Sequence, residues 1–277
     1  MIFYFSPAKV NLFFKVLSKR EDGYHDIASL YQTVSLVDHL SFQKSKSDHF
    51  YCFNNKDLKW DESNLIFKAT NLFRKKTKIT TPIEILLKKN IPIEAGLAGG
   101  SSNAATTLWA LNELFDKPLD ILDLIEIGKK IGADVPFFFS SGTAFCTGIG
   151  NVFENVLLKA LNFYIAKPNF GSSTLKVYKN VKMDLLKKQD PLQLKKSVIE
   201  NNFSSFNDLE ISAFEIDKRL VSIKAKLQEI GFEKVVMTGS GSSFMCFDNS
   251  IKPRPSKEIS FFEVFNIQKN KNSWYSF

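Results

Sequence analysis

The sequence has few cysteines and no long apolar run. Its three cysteines, Cys52, Cys146 and Cys246, are widely spaced and form no Cys-x-x-Cys pair, which fits buried thiols better than a disulfide framework or a zinc site. No apolar run approaches the roughly 18 residues needed to cross a bilayer, which excludes a transmembrane protein. The N-terminus MIFYFSPAK also lacks the charged region and long apolar stretch of a secretory signal. We therefore expect a soluble cytoplasmic protein.

The composition is that of an ordinary globular protein with a basic excess. Hydrophobic residues make up 44% and charged residues 24% of the 277 residues, which argues against disorder and fibrous repeats. This length allows one large domain or two. The net charge of +8 leaves a polyanionic partner open, whether nucleic acid, membrane headgroup or phosphorylated metabolite. The densest lysine run, at 176–196, fits a solvated face better than a nucleic-acid patch.

Hydrophobic periodicity predicts a mixture of strands and helices without an internal repeat. β-Branched and aromatic residues predict strands on either side of the turn at Asp22-Gly23, and Ser63 is predicted to cap a helix. Later, Gly132 and Gly231 are predicted to end helices. The predicted elements are strands at 9–18, 27–37, 83–87, 163–167 and 259–267, helices at 64–76, 104–115, 120–131 and 211–230, and a strand–turn–strand unit at 235–247.

The segment PIEAGLAGGSS, from Pro92 to Ser102, predicts a glycine loop between a strand and a helix. Glycine lets the backbone approach an anion closely, and the next helix offers unpaired N–H groups and the positive end of its dipole. Glycine content alone equally fits a tight connection. The run Ser101-Ser102-Asn103 favours phosphate, because it adds hydroxyl donors or metal ligands at the helix start. The segment is neither a Walker A motif nor a protein-kinase glycine loop.

Four other segments are weak signals when each is taken singly. Taken alone, TGSGSS at 238–243 favours a structural hairpin. A strand lysine such as Lys9 more often faces outward, although a buried lysine would need an anionic partner. Asp134 in GADVP favours a helix cap, and Tyr24 with His25 in DGYH favours simple packing. Combined with the first glycine loop, TGSGSS would close over the other side of a phosphorylated substrate.

In order and spacing, these five segments resemble the GHMP kinases, which include galacto-, homoserine, mevalonate and phosphomevalonate kinases. The three superfamily motifs stand here as SPAKVNL, PIEAGLAGGSSNAA and TGSGSS. EDGYH, GADVPFFF and STLKVY further resemble the branch that phosphorylates a cytidine diphosphate alcohol in the non-mevalonate isoprenoid pathway. The resemblance extends from about residue 5 to residue 247, and the last thirty residues are much less informative.

The resemblance implies an α+β fold of two domains. The first, residues 1–152, would be ribosomal-protein-S5-like and hold the ATP loop, and the second, residues 153–277, would be ferredoxin-like. The two substrates, ATP and the cytidine diphosphate alcohol, would meet in the cleft between them. The resemblance also implies a requirement for Mg²⁺, a monomer or homodimer, and no nucleic-acid or membrane partner.

The resemblance assigns roles to individual residues. Asp134 matches the catalytic carboxylate that accepts or orients the alcohol proton, and Lys9 matches the cation between that hydroxyl and the γ-phosphate. Tyr24 and Tyr178 match the aromatic pair that holds the cytosine ring, and His25 matches the residue that hydrogen-bonds the edge of the base. The implied ATP-binding residues are Asn64, Pro92, Ile93, Glu94, Ala95, Gly96, Leu97, Ala98, Gly99, Gly100, Ser101 and Ser102, and the other substrate-binding residues are Asn11, Thr174, Gly239 and Ser240.

The sequence departs from the family pattern in the glycine loop. Glu94, Ala95 and Ala98 stand where many members carry glycine or another small residue, and Asn103 stands where aspartate is common. Glu94 would bring negative charge near a triphosphate, so we expect it to point outward or toward Mg²⁺. The metal ligands stay open, and so does the choice between Asp134 and Lys9 as the group that removes the proton.

The sequence leaves two other functions open. Another GHMP kinase, acting on mevalonate or homoserine, would share the glycine loop but have no use for the base-stacking residues. A non-catalytic RNA-binding protein would fit the basic charge and the S5-like topology, and its binding would weaken steeply with salt. The RNA-binding interpretation does not require Lys9, Asp134 and the glycine loop at these spacings.

Overall fold

The computed structural model describes residues 1–248, 250–270 and 272–276. Its first sheet is built on a long antiparallel pair, β1 and β2, whose strand predictions are confirmed and whose bounds are longer than predicted. The strands run in the order β3-β4-β2-β5-β6, with β1 paired to β2; the β3–β4 pair is parallel and the other pairs are antiparallel. The strands are β1 Ile2–Lys19, β2 His25–Lys44, β3 His49–Cys52, β4 Ile83–Lys88, β5 Thr143–Thr147 and β6 Val152–Asn155.

Three helices, α1 Leu65–Thr77, α2 Gly99–Leu114 and α3 Ile121–Ile131, accompany this sheet, and α2 contacts α1, α3, β1 and β2. All three were predicted, but the cap of α1 was assigned to the wrong residue. The cap is Asn64, whose side chain accepts a hydrogen bond from the Ile66 amide at 2.9 Å. The Ser63 hydroxyl instead donates to the Asp61 carboxylate, two residues earlier in the chain.

The second sheet is antiparallel, with the order β10-β7-β9-β8. Its strands and the strand–turn–strand unit occur where they were predicted. The first sheet ends at Asn155 and the second begins at Asn162; the domain boundary after residue 152 stays a prediction. The strands are β7 Asn162–Pro168, β8 Lys234–Met237, β9 Phe244–Phe247 and β10 Ile259–Phe265, and the helices are α4 Thr174–Lys179, α5 Pro191–Ile199, α6 Leu209–Ile216 and α7 Lys218–Glu229.

The single helix predicted over 211–230 is wrong, because the chain forms α6 and α7 with a break at Asp217. Asp217 has an extended backbone, with φ −136° and ψ 97°, and its carboxylate accepts a hydrogen bond from the Arg219 amide at 3.0 Å. Aspartate favours this N-cap geometry over a helix interior. The break turns Ile211 and Ile216 toward solvent. The apolar face predicted for one long helix is therefore only partly buried.

The two parts of the chain meet along β1. The amide of Phe14 donates to the Phe206 carbonyl at 2.8 Å, and the amide of Asp208 donates to the Phe14 carbonyl at 2.9 Å. Beside them, the buried Lys15 ammonium lies 2.7 Å from the Asp208 carboxylate. A lysine this deeply buried requires such a partner. These contacts hold the chain before α6 against the strand that also carries Lys9.

The C-terminal segment returns to the first sheet. Trp274 is buried, stacks on Trp109 at 5.3 Å between ring centroids, and donates its indole N–H to the Phe5 carbonyl at 2.9 Å. The Tyr275 hydroxyl donates to the Phe138 carbonyl at 3.2 Å. The segment after β10 therefore packs against both β1 and the chain that follows α3. Within the described ranges, no helix is both long and apolar enough to cross a bilayer.

Candidate active site

A cleft of about 930 Å³ collects most of the predicted site residues. Among the described residues that were predicted for the site, Asn11 and Ser102 are the two that do not line this cleft, and both are fully buried. The predicted residues that line it are Lys9, Tyr24, His25, Asn64, Pro92, Ile93, Glu94, Ala95, Gly96, Leu97, Ala98, Gly99, Gly100, Ser101, Asp134, Thr174, Tyr178, Gly239 and Ser240.

Lys9 and Asp134 meet at the centre of the cleft. Lys9 is only 3% exposed, and its Nζ lies 3.6 Å from Asp134 Oδ2 while donating to Asn11 Oδ1 at 2.8 Å. The expectation that a buried strand lysine needs an anionic partner is confirmed. The ammonium also lies 4.2 Å from the centroid of the Tyr31 ring, an attractive position for a cation.

The interpretation of Asp134 as a helix cap is wrong. The short 3-10 helix Pro136–Phe139 begins after Val135 and has no side-chain cap. Asp134 instead accepts a hydrogen bond through Oδ1 from the Tyr31 hydroxyl at 3.1 Å. Its carboxylate is thus held by Tyr31 on one oxygen and faces Lys9 with the other. Sequence analysis missed Tyr31, since a tyrosine on a buried strand gave no signal of this contact.

The two glycine segments touch each other. A Cβ on Gly96 would lie 2.3 Å from the Thr238 carbonyl oxygen and 2.9 Å from that of Gly241, so a side chain has no room there. The Ser243 amide donates to the Ala95 carbonyl at 3.2 Å. The predicted combination of the two glycine segments is therefore present, with TGSGSS packed against the loop.

The glycine loop has left-handed backbone at two of its three departures from the family pattern. Glu94 and Ala98 each have a φ of +52°, where glycine carries no steric penalty. Ala98 is also the N-cap of α2 and supplies no side-chain hydrogen bond. The first turn of α2 contains no acidic residue, so its amides and helix dipole favour an anion. Glu94 is exposed, packs against Gly171 and also lines the cleft, so its direction relative to the phosphates and Mg²⁺ stays a prediction.

A buried ion pair holds the base of the loop. The fully buried Asp38 carboxylate lies 2.6 Å from Lys89 Nζ and accepts from the amides of Asn90 and Ile91 at 2.7 and 2.8 Å. Asn103 donates to the same carboxylate at 2.9 Å. Burial lowers the pKa of Lys89, opposed by the Asp38 charge. Sequence analysis missed both partners, since Asp38 lies within β2 and Lys89 directly follows β4, and only the pairing of these two strands brings them together.

Ser6 also belongs to this hydrogen-bond network. Its contacts distinguish Ser102 and Asn103 from Ser101, the other residue of this run. Asn103 donates to Ser6 Oγ at 2.9 Å, and Ser6 donates to Ser102 Oγ at 2.7 Å. Ser102 and Asn103 thus make internal contacts, whereas Ser101 is partly exposed and lines the cleft. The hydroxyl of Ser101 is the one in this run that faces the space beside the loop.

Aromatic residues line the far end of the cleft. Tyr24 is 59% exposed, whereas His25 is 4% exposed and lies 5.7 Å from Tyr178 between ring centroids. Among the described residues, neither ring nitrogen of His25 has a hydrogen-bond partner. Burial and the nearby Lys19 charge lower the pKa of His25. A neutral imidazole offers one donor and one acceptor, so His25 can read a polar ligand edge.

Thr174 and Asn64 hold the walls of the cleft. Thr174 Oγ1 and Ser240 Oγ lie 2.7 Å apart, which joins the start of α4 to the second glycine segment. Asn64 caps α1 and donates to the Lys59 carbonyl at 2.9 Å. Asn11 is held by Lys9 and by its amide hydrogen bond to Thr238 Oγ1 at 2.9 Å. Asn11 therefore holds Lys9 and Thr238 in position, although it does not line the cleft itself.

Comparisons with known proteins agree with this arrangement. The model of the GHMP kinases N terminal domain matches residues 64–142, which include the glycine loop and Asp134. A protein of Protochlamydia amoebophila (strain UWE25), named 4-diphosphocytidyl-2-C-methyl-D-erythritol kinase, is 44% identical, with the alignment covering 98% of this chain and 92% of that protein. This chain belongs to the 4-diphosphocytidyl-2-C-methyl-D-erythritol kinase family. The chloroplastic kinase of the same name from Mentha piperita is 39% identical over 98% of this kinase and 71% of the plant protein.

Solved structures confirm the predicted α+β GHMP kinase fold. A 4-(cytidine 5'-diphospho)-2C-methyl-D-erythritol kinase structure superposes on this kinase with a TM-score of 0.78 at 27% identity, covering 96% of this chain and 99% of that one. A mevalonate kinase structure superposes with a TM-score of 0.67 at 13% identity, covering 98% and 100% of the two chains. The mevalonate kinase likeness concerns the fold alone.

Proposed function

We propose that this kinase transfers the γ-phosphoryl group of ATP to the 2-hydroxyl of 4-diphosphocytidyl-2-C-methyl-D-erythritol, a step of the non-mevalonate isoprenoid pathway. The observation that carries the proposal is the Lys9–Asp134 pair, 3.6 Å apart, in a cleft with the glycine loop and the aromatic residues around His25. The relatives named for this substrate, at 38–44% identity, support the choice of alcohol.

In this proposal Asp134 receives the proton of the substrate hydroxyl. The hydroxyl oxygen attacks the γ-phosphorus, the bond from that phosphorus to the bridging oxygen breaks, and ADP leaves with the electron pair. Lys9 is bound to the Asn11 amide oxygen and to Asp134, so it serves as a fixed cation and not as the base. Phosphoryl transfer needs mainly alignment and charge stabilisation, which these two groups supply.

The amides at the start of α2 and the glycine loop bind the ATP phosphates in this proposal, because backbone N–H groups and the helix dipole favour anions. ATP brings Mg²⁺, which neutralises charge on the phosphates when it is bound. Mg²⁺ usually keeps several waters and takes only one or two protein ligands beside phosphate oxygens. Ser101 is the hydroxyl of the run Ser101-Ser102-Asn103 that lines the cleft and is available to such a site.

The cytidine part of the alcohol binds at the aromatic end of the cleft. His25 has two unpartnered ring nitrogens among the described residues, and a cytosine edge offers both a donor and acceptors. The Tyr24 and Tyr178 rings line the same end, where they would stack on the cytosine base.

Three further expectations stay predictions: that the enzyme is a monomer or homodimer, that it is cytoplasmic, and that it has no nucleic-acid partner.

Competing substrate assays test the proposed function. We expect ATP-dependent phosphorylation of the cytidine diphosphate alcohol, detected as ADP release and by mass, with no turnover of mevalonate or homoserine. Turnover of mevalonate alone would overturn the choice of substrate. RNA binding without kinase activity, weakening steeply with salt, would overturn the enzyme assignment altogether.

Replacing Tyr24 with alanine is expected to raise KM for the cytidine substrate by roughly 5- to 100-fold, because a stacked aromatic contributes about 1–3 kcal/mol per base. KM for ATP should change less than twofold, since ATP occupies the other end of the cleft in this proposal. Tyr51→Ala is the matched control, because Tyr51 is also an exposed tyrosine but lies on β3 outside the cleft. Equal losses for both substrates would show that Tyr24 supports the fold and not the base.

A further inference from the structure

Tyr31 touches both groups that the proposed reaction uses. Its hydroxyl donates to Asp134 Oδ1 at 3.1 Å, and the face of its ring lies 4.2 Å from Lys9 Nζ. The residue is 2% exposed and lines the cleft. No motif singled it out, and the chemistry described above does not require it.

The surrounding sheet fixes the position of the Tyr31 side chain. Tyr31 pairs with Asn11 on β1 and with Ala144 on β5, so its backbone is held on both sides. Phe137 meets its ring edge to face at 5.2 Å between centroids. A methyl group on Gly150 would lie 2.7 Å from the phenolic oxygen, which leaves the hydroxyl no room on that side.

Tyr31 is a permanent donor in this environment. Burial, together with the Asp134 charge, raises the pKa of Tyr31 well above its ordinary value, so the phenol keeps its proton. The other titratable groups near the carboxylate are Cys146 on β5 and Tyr178 on α4, whose pKa values are also raised by burial and by Asp134. Both are neutral, so Lys9 and the Tyr31 hydroxyl are the groups that act on the charge of Asp134.

We infer that the Tyr31 hydroxyl is a positioning group for the reaction: it occupies Oδ1 of Asp134 and leaves Oδ2, beside Lys9, to receive the substrate proton. This inference rests on the proposed function. A hydrogen bond to the ionised carboxylate favours the charged form and holds its plane. Without the bond, the carboxylate rotates and its second oxygen leaves the line toward the alcohol, so turnover suffers more than binding.

Tyr31→Phe tests the inference, because it removes the hydroxyl and keeps the ring. We expect kcat to fall about tenfold, the size typical of one hydrogen bond to a charged group, while KM changes less than twofold for either substrate. A fall in kcat with unchanged KM values identifies a positioning role, because a general loss of structure would weaken binding of both substrates as well.

Tyr164→Phe is the matched control. Tyr164 is also a buried tyrosine, but it lies on β7 and packs against Phe232. We expect Tyr164→Phe to keep the kcat and both KM values of the unmodified enzyme. An unchanged kcat in Tyr31→Phe, or a change confined to KM, would overturn the role given to Tyr31.

A double-mutant cycle with Asp134→Ala isolates the contact, because alanine has no oxygen that could accept the Tyr31 hydrogen bond. If Tyr31 acts through the carboxylate, adding Tyr31→Phe to Asp134→Ala should lower kcat less than twofold further. The same tenfold loss in both backgrounds would overturn the inference. Should Tyr31→Phe fail to fold, Tyr31→Met replaces it, because methionine also lacks the hydroxyl and adapts to an apolar site; full kcat in that variant would overturn the inference.

Assays of the unmodified enzyme distinguish a failure of the proposed function from a failure of the role inferred for Tyr31. If it phosphorylates the cytidine diphosphate alcohol and Tyr31→Phe is fully active, only the role of Tyr31 is lost. If the unmodified enzyme does not phosphorylate that alcohol, the proposed function fails first, whatever the variants do.

Discussion

Asp134→Asn is expected to lower kcat by roughly 10²- to 10⁴-fold, the range for loss of a general base. Asparagine keeps an oxygen that can accept the Tyr31 hydrogen bond, so the shape of the site should survive. What is lost is the charge that pairs with Lys9 at 3.6 Å and the oxygen that receives the substrate proton. KM for ATP should change little, because the glycine loop is untouched.

Steady-state kinetics with both substrates, together with thermal denaturation, measures this effect. Asp123→Asn is the matched control, since Asp123 forms an exposed ion pair with Lys76 on the helix surface, and its kcat should be unchanged. A kcat within threefold of the unmodified enzyme would remove Asp134 from the chemistry. A Tm that falls together with kcat would make Asp134 a structural residue.

Asp38→Ala is expected to cost about 3–5 kcal/mol in the free energy of unfolding, because it leaves the buried Lys89 ammonium without its counter-charge. It also removes the acceptor of the Asn90 and Ile91 amides and of Asn103. For a chain of this size, such a loss lowers Tm by roughly 10 °C. Since Asp38 holds the base of the glycine loop, KM for ATP should rise as well.

Thermal denaturation of Asp38→Ala, Lys89→Met, their double variant and the control Glu126→Ala distinguishes an unpaired buried charge from lost packing as the cause of the destabilisation. Glu126→Ala breaks the exposed pair with Lys129 and should change the free energy of unfolding by less than about 1 kcal/mol. The double variant Asp38→Ala/Lys89→Met removes both buried charges and should recover part of the stability lost in Asp38→Ala. A double variant whose loss equals the sum of the two single losses would show that the pair is not coupled.

Local structure was largely predictable because its causes lie within a few residues. Alternating β-branched and aromatic residues predicted β1 and β2, and Gly132 marked the end of α3. The failures are also local in origin. Asn64 took the cap position expected for Ser63, and the capping preference of Asp217 outweighed the apolar pattern that runs across it.

The candidate site was predictable only where a motif resembled the GHMP family. Lys9, Asp134 and the loop from Pro92 to Ser101 line one cleft, as the resemblance implied. Tyr31 and Asp38 belong to no motif, and nothing in the residues around them marks a partner. Lys89 meets Asp38 because β4 pairs with β2, whereas Asp134 meets Tyr31 from the turn before the 3-10 helix Pro136–Phe139.

The sequence by itself determined the strand–loop–helix unit, the glycines that let two backbones touch, and the residue types that phosphoryl transfer requires. Only the tertiary structure decided which charges face each other. Tyr31 and Asp134 are 103 residues apart, and Lys89 and Asp38 are 51 apart. Such pairs form because the folded sheet brings residues within β2 next to a distant turn and to the chain after β4, and excludes water from them; no short stretch of sequence encodes that arrangement.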